Sequence, residues 1–574
     1  MKLTPRQILY VVLGTFALTV FVLTLDHPKT RVLFSSWESL RFDNPFKAYH
    51  ILKKLDIFEI TSSEEYKSPT YGAHYWGLKV DNGYCEKHRT YFVENPNMVY
   101  EGNFFTDYGK THQVRTMAVP ENGKDLHPVI GFSMPKANRK IYYYNLKPET
   151  SMIFTNTETF TKRIIGKQFS CLTQTSNHIP GHDLLDKKEL VYGGLMDYSK
   201  QYAHRPGCFN LQKFAPKTWF LGNQEECLDF FSKLNGSTKG EEAISYYRKV
   251  TNPQAEGTKV FPVTFEDEAK LKKTFKDGEK CGKVMTDNII QQAVARPLLF
   301  EGSKFDIRAF MLVASTNPLM AYYRDGYLTR SLYKYSMTYK DPGVNLAHTE
   351  MAKKVLEFAE KSKKYSVEDL RKIKKRSYAG YKQLQDYLRK EGVTVDAYWL
   401  DNYLRPQIQK AMIHLLRMSQ ERFLKKSSIY ELYAVDFMLD QDLNLWFIDA
   451  NSMPVLQGWT SDIIEFNNRM LGDTFEIVSG LLKSRAKRIV KYINGLCAND
   501  EFGADVDGIR VYDLERRREE FKKLTSNYFE KEYEPKVGGG NGFVKIVDEN
   551  YAGRERYIRG DEENGIEIFE PRCF

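Results

Sequence analysis

Cysteine is scarce and unpatterned in this chain of 574 residues. Its seven copies (Cys85, Cys171, Cys208, Cys227, Cys281, Cys497, Cys573) are scattered and odd in number, and no two form a CxxC pair. That argues against a zinc site or a disulfide framework and reads as a protein of a reducing compartment. No repeat of fixed period appears. A signal-peptide cleavage site is missing too. Ile8 to Leu25 is eighteen residues without a charge, preceded by Lys2 and Arg6 and followed by Asp26-His27-Pro28-Lys29 instead of small residues. The stretch is just long enough to span a bilayer and reads as a retained N-terminal transmembrane helix. Lys2 and Arg6 draw the N-terminus to the cytoplasm while Lys29, Arg31 and Arg41 draw the other flank there, close to a tie.

What is present is globular. Hydrophobic residues make up 42% and aromatics 14%, far from a disordered composition. The length exceeds one ordinary core and calls for several domains. A net charge of +10 favours acidic partners, though charge alone does not choose among them. Residues 1–30 read as the membrane anchor and 31–155 as a linker with a small β-containing domain. Residues 156–496 alternate helix-like and strand-like segments, as mixed α/β layers do. Residues 497–574 read as a charged C-terminal tail.

Chemistry concentrates in three phrases. The first is YELYAVDFMLDQDLNLWFIDAN, Tyr430 to Asn451, two β-rich runs around Asp440-Gln441-Asp442. Folded about a centre between Asp442 and Leu443, it sets Asp436 opposite Asp449. Asn451, two residues on, shares their face. Two carboxylates and an amide oxygen in one place suit Mg²⁺; otherwise they are scattered acids on a surface hairpin. The second phrase, PLLFEGSKFDIRAFMLV, puts Lys304, Asp306 and Arg308 on one face of a strand otherwise apolar on both sides. Buried charges need partners, either one another or an anionic ligand. Arg324 and Arg330, around the Asp325-Gly326 turn, add positive charge nearby. The third is Lys249, mid-strand in YYRKV before a loop carrying Gly257, placed as a phosphate-binding lysine can be; a solvated strand lysine is the plain alternative. Lys353 to Arg376 is a basic helical stretch, which reads as a solvated face or a surface for an acidic polymer.

In this order, SNHIPG, the lysine strand, KFDIR, the YYRDG turn and DFML…WFIDAN..P resemble the tubulin tyrosine ligase-like family over roughly 155–490. The resemblance implies an α+β, ATP-grasp-type multi-domain fold that ligates an amino acid to a protein carboxylate through an acylphosphate, usually on tubulin tails. It implies ATP and Mg²⁺ as cofactors, with Asp436, Asp449 and Asn451 holding the metal and Lys249 the phosphates. Gln291, Gln292 and Val294 would border the adenine, and Lys304, Asp306, Arg308 and Arg330 would serve nucleotide and substrate. The expected partners are tubulin or another acidic tail, a free amino acid and the membrane, with no nucleic acid and the catalytic body in the cytosol. Several features depart from the family pattern: a membrane anchor is not typical of it, Val250 instead of proline follows Lys249, and its Gly-rich loop retains only Gly257. Asp449 stands where the family commonly has Glu. Thr329 stands where it has a substrate-gripping arginine, with Arg330 one position along and so on the opposite face. Asn345-Leu346-Ala347-His348 replaces its His-Leu-Thr-Asn phrase. Two other readings follow: an inactive ATP-grasp scaffold that binds ATP or microtubules, and a lumenal glycosyltransferase whose DxD is Asp440-Gln441-Asp442.

Overall fold

The computed structural model describes chiefly residues 175–234, 245–250, 260–336, 366–498 and 526–551, with short gaps, and a few isolated strands before residue 172. The expected membrane helix at 8–25, the body of the small N-terminal domain and the phrase at 345–348 lie outside the described residues. Among the described residues no helix is long and apolar enough to cross a membrane. The chain divides into two compact units, Met1–Ser176 with Val478–Glu534, and Asn177–Ile477 with Pro535–Phe574. In the first, β1 (Leu55–Ser62), β2 (Ala73–Val80) and β3 (Phe169–Cys171) make a three-stranded antiparallel sheet with β1 central.

The second unit carries every candidate site residue and is mixed α/β, built on two antiparallel sheets. It opens with two helices, α1 (Asp183–Asp186) and α2 (Lys188–Gln201). The smaller sheet contains β4 (Thr218–Phe220), β5 (Tyr246–Val250), β6 (Val260–Pro262) and β7 (Asn288–Gln292), in the order β6-β5-β7-β4. β6 runs antiparallel to β5, and Val260 pairs with Lys249. Helix α3 (Gln224–Lys233) packs on this sheet, with Trp219, Leu221, Phe230, Phe275 and Ile290 forming the core beneath it.

Cys227 and Cys281 are in that core and are joined as a disulfide, their Cα atoms 5.6 Å apart. Cys208 is disulfide-bonded as well. This corrects the expectation of free thiols, because partners 54 residues apart leave no local spacing to read. Closing a loop of that length restricts the unfolded chain. Replacing both cysteines by serine should therefore cost about 2–4 kcal/mol, measured as a fall in the denaturant midpoint relative to the unreduced wild type.

The larger sheet is centred on β8 (Ser303–Thr316), flanked by β9 (Leu319–Arg330) and β10 (Ile429–Leu439). Beyond β10 lies β11 (Leu445–Asn451), and β12 (Val544–Asp548) pairs with β9. Residues 544–548 therefore contribute an edge strand where the sequence suggests only a charged tail; Ile546, Val547 and Asp548 are buried there. In the fourteen residues of β8 only Asp306 and Arg308 escape full burial, and in the eleven of β10 only Asp436 does. Both central strands are thus packed on two faces, and the sheet opens only where its charges sit.

Candidate active site

The hairpin β10–β11 sets Asp436 directly across from Asp449 and Ala434 across from Asn451. Asp436, Asp449 and Asn451 consequently share a face. Register shifts between Asp436 and Phe437, because Phe437 pairs with Phe447 and leaves Ile448 as an extra residue. Such a bulge re-aims the backbone. The Ile448 carbonyl accepts a hydrogen bond from the Tyr192 hydroxyl at 2.8 Å and another from Lys249 Nζ at 3.0 Å. Two elements distant in sequence, α2 and β5, thereby converge on the hairpin.

Arg308 lies opposite Asp436 on the neighbouring strand and grips its carboxylate with two hydrogen bonds of 2.8 Å. Lys304 donates to the Tyr247 hydroxyl at 3.4 Å and stands over its ring. Asp306 lies two residues from each. Burial pushes its carboxyl up to about 6, against the pull of Lys304. Lys249, 3% exposed, is pushed down to about 7 by burial, although Asp449 pulls it the other way. Both groups can change charge near neutrality.

Lys188, in the first turn of α2, forms an ion pair with Asp449. Burial opposes the lysine's charge and that of the carboxylate, yet their mutual attraction wins: Lys188 is raised and Asp449 lowered from their ordinary values. Sequence reasoning missed this lysine, which looks there like the second of a solvated pair, Lys187-Lys188. What could have found it is its position just after SNHIPG. That turn is fastened by Glu431, whose carboxylate accepts from the Ile179 amide at 3.0 Å and pairs with His178 at 3.3 Å. Asp186 accepts from the Ser452 amide at 3.0 Å, tying α1 to the hairpin's end.

The remaining predicted residues divide. Gln292 and Val294 line a cavity of about 590 Å³, together with Tyr192, Met196, Pro216 and Trp446. The volume is that of a small-molecule site, and Tyr192 joins it to the charged cluster. Gln291 is buried behind it, donating to Thr218 Oγ1 at 3.0 Å. Arg330 is not brought to the cluster. It pairs with Phe305, while Thr329 pairs with Asp306, so Arg330 lies on the other face. Its guanidinium sits 4.4 Å from the Phe300 ring centroid and donates to the Phe300 carbonyl and to Glu301. Arg324 is engaged elsewhere, paired with Asp473 between the rings of Phe466 and Phe543. The Asp440-Gln441-Asp442 triplet is turn structure. Asp440 accepts from the amides of Asp442 and Asn444 and from the Asn444 and Trp446 side chains, and Asp442 pairs with Arg296.

Four basic side chains (Lys188, Lys249, Lys304, Arg308) therefore gather around three carboxylates (Asp306, Asp436, Asp449), and Tyr192, beside Lys249, links this cluster to the cavity. Among the described residues no three His, Cys, Asp or Glu side chains converge closely enough to hold a metal unaided. Two facing carboxylates and an amide nevertheless fit Mg²⁺, which fills its shell with water and phosphate oxygens. A polyphosphate suits the surplus of positive charge. At pH 8 nucleotide binding should take up about one proton, because Lys249, near 7 in the free protein, is mostly neutral there and charged beside phosphate. Calorimetry in buffers of different ionisation enthalpy reads this uptake. It should shrink toward pH 6 and vanish in Lys249→Met; equal uptake in the variant assigns the proton elsewhere.

Residues 167–487 match the model of the tubulin-tyrosine ligase family. The chain is 29% identical over 205 residues to Tubulin monoglycylase TTLL3 of Danio rerio, covering 35% of this chain and 25% of the relative. It is 29% identical over 191 residues to Tubulin glycylase 3A of Drosophila melanogaster, covering 33% and 18%. Inactive polyglycylase TTLL10 of Homo sapiens is 27% identical over 173 residues, covering 29% and 24%. The chain thus spans a quarter or less of the length of these curated relatives.

Proposed function

The chain belongs to the tubulin-tyrosine ligase family, and from that premise we propose that it is an ATP-dependent ligase joining an amino acid to a protein carboxylate. The two antiparallel sheets of the second unit then grip nucleotide in the manner of an ATP-grasp fold. The observation that carries the reading is the cluster of Lys188, Lys249, Lys304, Arg308, Asp436 and Asp449, linked through Tyr192 to the cavity that Gln292 and Val294 border.

In the proposed reaction an acceptor carboxylate oxygen bonds to the γ-phosphorus of ATP and ADP leaves. The amine of the incoming amino acid then bonds to the acyl carbon, and phosphate leaves. Side chains need form no bond to the substrates; positioning and charge neutralisation suffice. Lys249, Lys188 and Lys304 neutralise phosphate oxygens, and Arg308 holds Asp436 in place through its two hydrogen bonds. Asp436, Asp449 and Asn451 would hold Mg²⁺, which would supply further neutralisation of phosphate charge. Asp306, near 6, would take the proton that the incoming ammonium must lose before its nitrogen can attack. The acceptor is a carboxylate-rich tail, tubulin's or another protein's; tubulin is what the relatives are named for.

A second reading, an ATP-binding scaffold without transfer, is favoured by one observation. Thr329, not an arginine, lies across from Asp306. Full-length protein incubated with ATP, Mg²⁺, mixed amino acids and either tubulin or a glutamate-rich peptide decides between them by mass spectrometry. A mass gain of one amino-acid residue supports the ligase. Nucleotide binding without mass gain supports the scaffold, and no nucleotide binding overturns both.

A further inference from the structure

The small sheet is cross-linked around one of its own catalytic strands. Cys227 lies in α3 and Cys281 after the turn at Gly278, and the bond between them closes a loop that contains β5 and Lys249. Both cysteines are buried against Trp219, Phe230 and Phe275, so the cross-link belongs to the core of the lobe and not to its surface. Cys208 is in a disulfide as well. Disulfides of this structural kind persist in oxidising compartments and are rare in the cytosol, where glutathione and thioredoxin keep thiols reduced. Forming the bond takes two electrons and two protons from the paired thiols to an oxidised dithiol carrier by thiol–disulfide exchange.

The sequence supplies the second half of the argument. Residues 8–25 form an uncharged hydrophobic run, and the charges on its two flanks nearly balance, so they do not orient it. The buried disulfide breaks that tie. We propose that residues 8–25 anchor the chain with its body on the oxidising, lumenal side of a membrane, and that the body matures there with Cys227 bonded to Cys281. Resting on the ligase reading, the acceptor is then a carboxylate-rich segment of a lumenal or secreted protein, and tubulin serves as its stand-in in the test tube. This placement replaces the reducing compartment read from scattered cysteines, and it differs from the cytosolic body that the family resemblance implies.

The test needs no activity. The full chain is expressed in cultured animal cells, thiols are trapped with N-ethylmaleimide before lysis, and unreduced digests are examined by mass spectrometry. The expected result is a Cys227–Cys281 linked peptide with almost no alkylated form of either cysteine, and a body protected from protease in sealed microsomes until detergent is added. In Cys227→Ser the linked peptide is lost and Cys281 becomes alkylated. Alkylation of both cysteines in the wild type overturns the proposal, and so does digestion of the body in sealed microsomes. Neither readout involves ATP, so failure of the ligase reading leaves this result standing, and alkylated thiols leave the ligase reading standing.

Discussion

Asp436→Asn is expected to lower ATP-dependent turnover on the order of 100-fold or more, the scale of losing a metal ligand or a charge that stabilises the transition state. The substitution removes one of the two facing carboxylates and leaves Arg308 without its anionic partner. Breaking a fully buried pair costs about 3–5 kcal/mol. Here the side chains keep 12% and 16% exposure, so solvent softens the loss. Asparagine also retains one oxygen that can accept from Arg308. A melting curve taken beside the turnover assay separates folding from chemistry. Asp442→Asn is the matched control, since Asp442 sits on the same hairpin but pairs with Arg296 at the surface. That variant should turn over ATP like the wild type. If it loses as much as Asp436→Asn, the reactive carboxylates are those of the Asp440-Gln441-Asp442 turn and the assigned site is wrong.

The hairpin was legible because its information is local. Alternation places Asp436, Asp449 and Asn451 on one face, and a turn of polar residues sets which carboxylates oppose each other. The same parity argument separates Arg330 from Asp306, and the structure places Arg330 against Phe300. Hidden features depended on distance along the chain. Ile448 is an apolar residue in an apolar run, and nothing in its identity announces a bulge. Lys188 meets Asp449 across 261 positions, and Cys227 meets Cys281 across 54. A helix-like pattern shows which residues face a core, not which charge on its first turn faces a hairpin. Residues 544–548 are a further case. A five-residue run with three apolar residues, set in a charged stretch, reads as tail until a sheet edge is there to receive it.

Gly181→Ala should destabilise the second unit by about 3–5 kcal/mol, with contributions from backbone strain and overpacking. Gly181 holds φ at +91°, where an L side chain is strained, and a Cβ there would overlap the carbonyl oxygen of Arg422. That oxygen is backbone in the segment running into Leu424, whose amide donates to the Pro180 carbonyl at 2.9 Å, so it has little freedom to withdraw. The turn also has a function in the site. It starts α1 and α2, which carry Asp186, Lys188 and Tyr192 to the hairpin. Relief of the clash by moving the turn would shift Lys188 from Asp449 and Tyr192 from the Ile448 carbonyl. Two measurements should therefore move together: the denaturant midpoint falls, and nucleotide affinity falls even at temperatures where the variant remains folded. Gly193→Ala, in the same helix α2 with nothing near the added methyl, is the comparison and should leave nucleotide affinity unchanged while raising the denaturant midpoint slightly, by about 1 kcal/mol of helix propensity. A Gly181→Ala protein of wild-type stability would mean that the turn does not hold this conformation, and the placement of Lys188 at Asp449 would fall with it.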